Sequence, residues 1–126
     1  MNPVLDASAL LAYLHREPGW ESVREAVGEG YVGAVNWCEV AQKAALRGLD
    51  VSQVRGLLED VGLTIVPFTA EQAEAAAVLW PKTRNHGLSL ADRACLALAL
   101  ERKAPVFTAD RAWAELDLGL NIRVVR

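Results

Sequence analysis

Five short apolar runs, rich in β-branched residues, alternate along this chain with stretches of helical periodicity. The runs are residues 3–5, 31–35, 63–68, 104–108 and 121–125. Strands separated by helices cannot pair as hairpins, so the pattern implies βαβ units and a parallel sheet with helices on both faces. Between the runs, Leu10, Leu11 and Leu14 form the stripe of a helix that Glu17-Pro18-Gly19 breaks. An amphipathic helix over 20–27 ends at Gly28 and Gly30, and Asn36 is placed to N-cap a helix over 37–47 that Gly48 stops. Val54, Leu57, Leu58 and Val61 mark a helix over 51–61, and Thr69-x-x-Gln72 reads as a capping box opening an alanine-rich helix that runs to about Trp80. Residues 81–87 read as a polar loop. The stretch 90–102 is a helix apolar on nearly every face up to Leu100, hence largely buried, and 111–116 is a short helix.

At 126 residues the chain fits one domain, 1–126, and 52% apolar residues are enough for a continuous core. No apolar run approaches the roughly 18–20 residues that span a bilayer. The first residues lack a basic stretch, and Asp6 interrupts their apolar run, which argues against a signal peptide and makes the cytoplasm the expected compartment. Cys38 and Cys95 are isolated, each within a helical pattern, and read as small core hydrophobes.

Four acids stand at β-to-α punctuation points: Asp6 in VLDAS, Glu39 in VNWCEV, Asp92 in LSLADRA and Asp110 in FTADRAW. In an open parallel sheet ligands bind outside the carboxyl ends of the strands. Asp6 and Asp110 directly follow strands, and Glu39 lies near the start of a helix that follows one. Asp92 opens a helix that leads back into the strand at 104–108, so its first turn belongs at the same edge. Each acid also has a plainer reading. Asn36-x-x-Glu39 and Ser89-x-x-Asp92 resemble capping boxes, and Asp6 and Asp110 are placed as helix N-caps. Carboxylates gathered at one edge repel unless a cation lies among them, and oxygen ligands suit Mg²⁺ or Mn²⁺, which support phosphodiester hydrolysis. Removing those four charges from a formal net charge of −3 leaves +1, so the overall acidity does not exclude an RNA partner.

VLDASALLAYL, AVNWCEVAQKA, GLSLADRACLALA and VFTADRAW, taken in order, resemble the PIN-domain ribonucleases, most closely the VapC-type toxins of toxin–antitoxin pairs. The resemblance implies a Rossmann-like α/β fold with a five-stranded parallel sheet, and a Mg²⁺- or Mn²⁺-dependent endoribonuclease. It places Asp6, Glu39, Asp92 and Asp110 on the family's acidic positions, with Asp6 and Asp92 as direct metal ligands and Glu39 and Asp110 acting through water. Thr108 matches a hydroxyl position near the site, and Ser8 is placed to hydrogen-bond Asp6. The resemblance further implies a homodimer and a VapB-like antitoxin that blocks the active-site groove. The helices bearing Leu10, Leu11, Leu14, Trp20 and Val54 are candidates for the partner surface, although a core face explains the same leucines.

Arg93 and Arg111 each follow a site acid and are candidates to hold a substrate phosphate. Lys82, Arg84, Asn85 and His86 offer a possible RNA grip in a loop that is otherwise simply solvated, and Trp37 is a candidate for base stacking. Two other functions compete. A haloacid-dehalogenase-like phosphatase would use Asp6 as nucleophile but expects a second Asp where Ser8 stands. A non-catalytic, receiver-like module explains Asp6 and Asp110 and leaves Glu39 and Asp92 without a role.

Overall fold

β1 (Val4–Leu5) leads into α1 (Ala7–His15), which is followed by α2 (Trp20–Val27). β2 (Tyr31–Gly33), α3 (Ala34–Leu46) and α4 (Val51–Asp60) come next, then β3 (Thr64–Val66), α5 (Ala70–Val78) and α6 (Trp80–Thr83). α7 (Leu90–Arg102), β4 (Val106–Thr108) and β5 (Ile122–Val124) complete the order, with 3-10 turns at Arg84–His86 and Arg111–Glu115. This computed structural model describes residues 2–126; Met1, the first residue of the expected 1–126 domain, lies outside the described residues.

The five strands form one parallel sheet in the order β3-β2-β1-β4-β5. Each strand is two or three residues long, shorter than its apolar run. The helices begin as soon as the backbone leaves the ladder. The chain winds outward from β1 through β2 to β3, then crosses back to lay β4 against β1, with Val4 opposite Val106 and Leu5 opposite Phe107. The winding therefore reverses between β1 and β4, the point of an open parallel sheet beyond whose carboxyl ends ligands bind.

Successive strand residues point to opposite faces. Leu5, Val32 and Phe107 pack with α1, α2 and Leu58 of α4 on one side. Val4, Val66 and Val106 pack with α7 and Trp113 on the other. Both faces are covered, which is why the strands read as continuous apolar runs rather than alternating ones. α7 buries Ala94 through Ala99, as its all-round apolar character requires.

Several elements differ from expectation. α3 starts at Ala34, capped only by the backbone of Gly33, so Asn36 lies inside its first turn and is buried rather than capping it. Thr69 caps α5 through the Gln72 N–H, but the Gln72 side chain turns away to Glu101, leaving half a capping box. Residues 81–87 are mostly the short helix α6 and a 3-10 turn, closed by Gly87 at φ 71°. Cys95 is buried as expected; Cys38 is exposed, because α3 turns that position outward. On α4 only Leu58 is buried, while Leu57 and Val61 stay exposed beside Tyr13, Leu14 and Trp20 along a groove of about 490 Å³.

Candidate active site

The turn from β1 into α1 carries the most constrained polar group of the molecule. Asp6 is 3% exposed, and its carboxylate is enclosed by donors. The Ala9 N–H donates to Oδ1 at 2.8 Å, so Asp6 is the N-cap of α1. The Ser8 hydroxyl lies 2.8 and 2.9 Å from the two carboxylate oxygens, and the Thr108 hydroxyl donates to Oδ2 at 2.6 Å. Those hydroxyls are themselves oriented: the Ala109 N–H donates to Ser8 Oγ at 2.9 Å, and the Asp110 N–H donates to Thr108 Oγ1 at 3.0 Å. Two parallel relays therefore run from the backbone beyond β4 through a hydroxyl to Asp6, locking the β1 and β4 ends together.

Asp92 and Glu39 approach from the helices. Asp92 is the third residue of α7 and completes a true capping box: its N–H donates to Ser89 Oγ at 3.1 Å, and its Oδ2 accepts the Ser89 N–H at 2.9 Å. Glu39 lies in the second turn of α3 on a half-buried face, too far into the helix to cap it. Asp110 is exposed and caps the 3-10 turn after β4 by accepting the Ala112 N–H at 3.0 Å. Capping and membership of the acidic edge thus coincide in Asp6, Asp92 and Asp110. A helix start is where a carboxylate is both held by free N–H groups and presented at the strand ends.

Electrostatics ties the acids into one site. Burial pushes the Asp6 carboxyl up to about 6, the charge of Asp92 adds to the rise, and the bonds from Thr108, Ala9 and Ser8 oppose it. Glu39 is raised by burial and by Asp92, and Asp92 is raised by burial and by Asp110. No arginine neutralises the group. Arg93 directs Nη1 to the Ala76 carbonyl of α5 at 3.0 Å, and Arg111 directs Nε to the Arg126 carbonyl at 3.1 Å. Among the described residues the ion pairs are Arg55–Glu59 and Arg126–Glu17, both away from the edge.

Among the described residues, no three acidic, imidazole or thiol side chains are drawn close enough to enclose an ion. The chemistry of the donor set nevertheless fits a hard divalent cation. It consists of carboxylate oxygens alone, and those of Asp6, Glu39 and Asp92 are destabilised in their charged form by burial and by a neighbouring acid. Asp6 and Asp92 would hold such an ion directly.

Sequence reasoning gave Asn36 only a helix-capping role. It is 1% exposed, and its Nδ2 donates across to the Ala91 carbonyl at 3.0 Å, next to Asp92. The available signal was its spacing of three from Glu39, which places both on one helix face.

The PIN domain family model matches residues 4–118. A search of curated proteins finds none that matches. Among solved structures, a toxin–antitoxin complex from Klebsiella pneumoniae superposes with a TM-score of 0.76 at 18% identity, covering 96% of this chain and 95% of that one. VapBC2 from Rickettsia felis, bound to a DNA fragment from its promoter, gives 0.70 at 14% identity and 98% coverage of both chains. VapC20 from Mycobacterium tuberculosis, a sarcin-ricin loop cleaving toxin, gives 0.69 at 13% identity, covering 94% of this chain and 98% of that one. With the family model spanning all but the chain ends, on a five-stranded parallel sheet, the chain belongs to the PIN domain family.

Proposed function

We propose that this protein is the toxin of a type II toxin–antitoxin pair, a Mg²⁺- or Mn²⁺-dependent endoribonuclease. The observation that carries the reading is the buried Asp6 carboxylate at the β1–β4 crevice, braced by Ser8 and Thr108 and coupled electrostatically to Asp92. Asp6 and Asp92 hold the cation, with Glu39 and Asp110 completing the cluster through water. When bound, such an ion supplies activated water and stabilises charge on the attacked phosphate and the leaving oxygen. The chain's own part is to fix the acids before substrate arrives. Ser8 and Thr108 hold Asp6 in one rotamer, and the Ser89 cap holds Asp92 on the first turn of α7. Arg93 and Arg111 are proposed to contact substrate phosphates, which requires each to leave its backbone carbonyl.

Toxin–antitoxin complexes among the similar folds, together with the apolar groove between α1, α2 and α4, support an antitoxin partner. A homodimer and a cytoplasmic location complete the proposal; no helix of the described residues is long and apolar enough to cross a membrane.

The test is cleavage of cellular RNA by purified protein with Mg²⁺ or Mn²⁺ and with EDTA. Wild type is expected to cut only with the cation. Asp92→Asn is expected to lose at least a hundredfold in rate while keeping its fold, because an amide oxygen still accepts the Ser89 N–H. Undiminished cutting by Asp92→Asn, or in EDTA, overturns the mechanism.

A further inference from the structure

Asn36 is a polar side chain placed where an apolar one would cost less. It lies in the first turn of α3, is 1% exposed, and packs between α3 and the start of α7. One of its amide protons goes to the Ala91 carbonyl at 3.0 Å, across 55 positions of sequence. Glu39 stands three residues on, one turn along the same helix face, and the Asn36 amide opposes the rise that burial imposes on its carboxyl. The Ala91 bond ties α3, the helix that carries Glu39 one turn further on, to the backbone immediately before Asp92. The orientation is dictated by that partner. An oxygen in place of that nitrogen would set two acceptors against each other at Ala91.

The other polar atom of the group, Oδ1, is buried with no partner among the described residues. It faces Gly33, where a Cβ would come within 3.4 Å of it and within 3.6 Å of Leu98. Leaving an acceptor unsatisfied is costly, and a staple between two helices is made more cheaply by a leucine. The retained amide therefore has to be accounted for by what its nitrogen holds.

We propose that Asn36 is a positioning residue that fixes the spacing between Glu39 and Asp92, so that the acidic edge is already set for a divalent cation. The inference rests on the metal-dependent reading given above. Asn36 binds no cation itself; it acts through the two acids, in the way outer groups orient the ligands of metal sites.

The experiment is direct Mn²⁺ titration, by electron paramagnetic resonance and calorimetry, of metal-free wild type, Asn36→Leu and Asn36→Thr. Thermal melts of the same samples are run without metal. Asn36→Leu removes both donors and is expected to weaken Mn²⁺ binding about tenfold. Asn36→Thr keeps one hydroxyl proton and is expected to fall between the two, and it decides the matter alone if the leucine variant does not fold. A purely structural staple would lower the melting temperature and leave the Mn²⁺ affinity at the wild-type value. That result, with wild type binding Mn²⁺ normally, overturns the inference and leaves the metal reading standing. A wild-type protein that takes up no Mn²⁺ overturns the metal reading, and this inference with it.

Discussion

Asp6 shows how one side chain is made to serve both folding and chemistry. As N-cap of α1 it satisfies a helix N–H, yet its burial raises its carboxyl from 3.8 to about 6. The folded protein therefore holds the Asp6 proton up to a higher pH than the unfolded chain does. The stability this contributes is full below about pH 4 and is lost as pH rises through about 6. At roughly 1.4 kcal/mol per pH unit, the metal-free protein at neutral pH is penalised by on the order of 3 kcal/mol. Asp6→Asn is expected to remove that slope and raise the metal-free melting temperature by several degrees at pH 8; melts of both proteins from pH 5 to 8 test it, and an unchanged slope counts against the assignment. A cation competes with the same proton. Mn²⁺ is accordingly expected to raise the wild-type melting temperature more at pH 8 than at pH 5.5, and an equal shift at both would place the ion elsewhere.

The elements do their work at their ends. α7 is anchored by the reciprocal Ser89–Asp92 cap, and its next turns are sealed in the core. Ser89→Ala deletes one half of that cap and is expected to cost about 1 kcal/mol in urea unfolding. The turn between α1 and α2 depends on Gly19, whose φ is 92° and where a Cβ would collide with the Val125 carbonyl. Gly19→Ala is therefore expected to destabilise by more than the Ser89 change, by strain and by pushing the C-terminal residues off α2; equal midpoints for the two variants would contradict this. Both ends of α3 behave less legibly. Its start slid from residue 37 to Ala34 because the β2 ladder ends at Gly33, and nothing in the local residues marks where a ladder ends. That shift carried Asn36 inside and turned Glu39 from a capping candidate into a side chain presented by the second turn.

At the scale of the molecule, the site exists because β4 returns to pair with β1. Thr108 reaches Asp6 across 102 positions, and Ser8 receives the Ala109 N–H across 101. The core beneath holds that registry. Leu98 of α7 is fully buried in the cluster with Val4 and Val106, and Leu98→Ala is expected to cost about 2–5 kcal/mol and to lower RNA cleavage by loosening the helix that carries Asp92. Full activity in a variant so destabilised would mean that α7 need not be rigid.

Helix and strand alternation and the parallel sheet were legible in the chain, because hydrophobic period and turn residues act over a few positions and leave a mark in sequence. The acids could be placed on one edge for the same reason: β-to-α order alone fixes which strand ends face the crevice. What those acids touch was not legible. The pairing of β1 with β4 decided that Ser8 and Thr108 both close on Asp6, and the packing of α3 against α7 decided that Asn36 lies beside Ala91. It decided equally that Arg93 turns to α5 and that Cys38 faces outward. The Asn36–Ala91 and Thr108–Asp6 contacts join residues 55 and 102 positions apart, and Arg93 reaches Ala76 across 17, through bonds whose partners are chosen by layers meeting in space. Sequence by itself determined the fold class and the β-to-α turns at which the acids stand; only the tertiary structure decided which groups hold Asp6 and Asp92 in place, because long-range packing has no local signature.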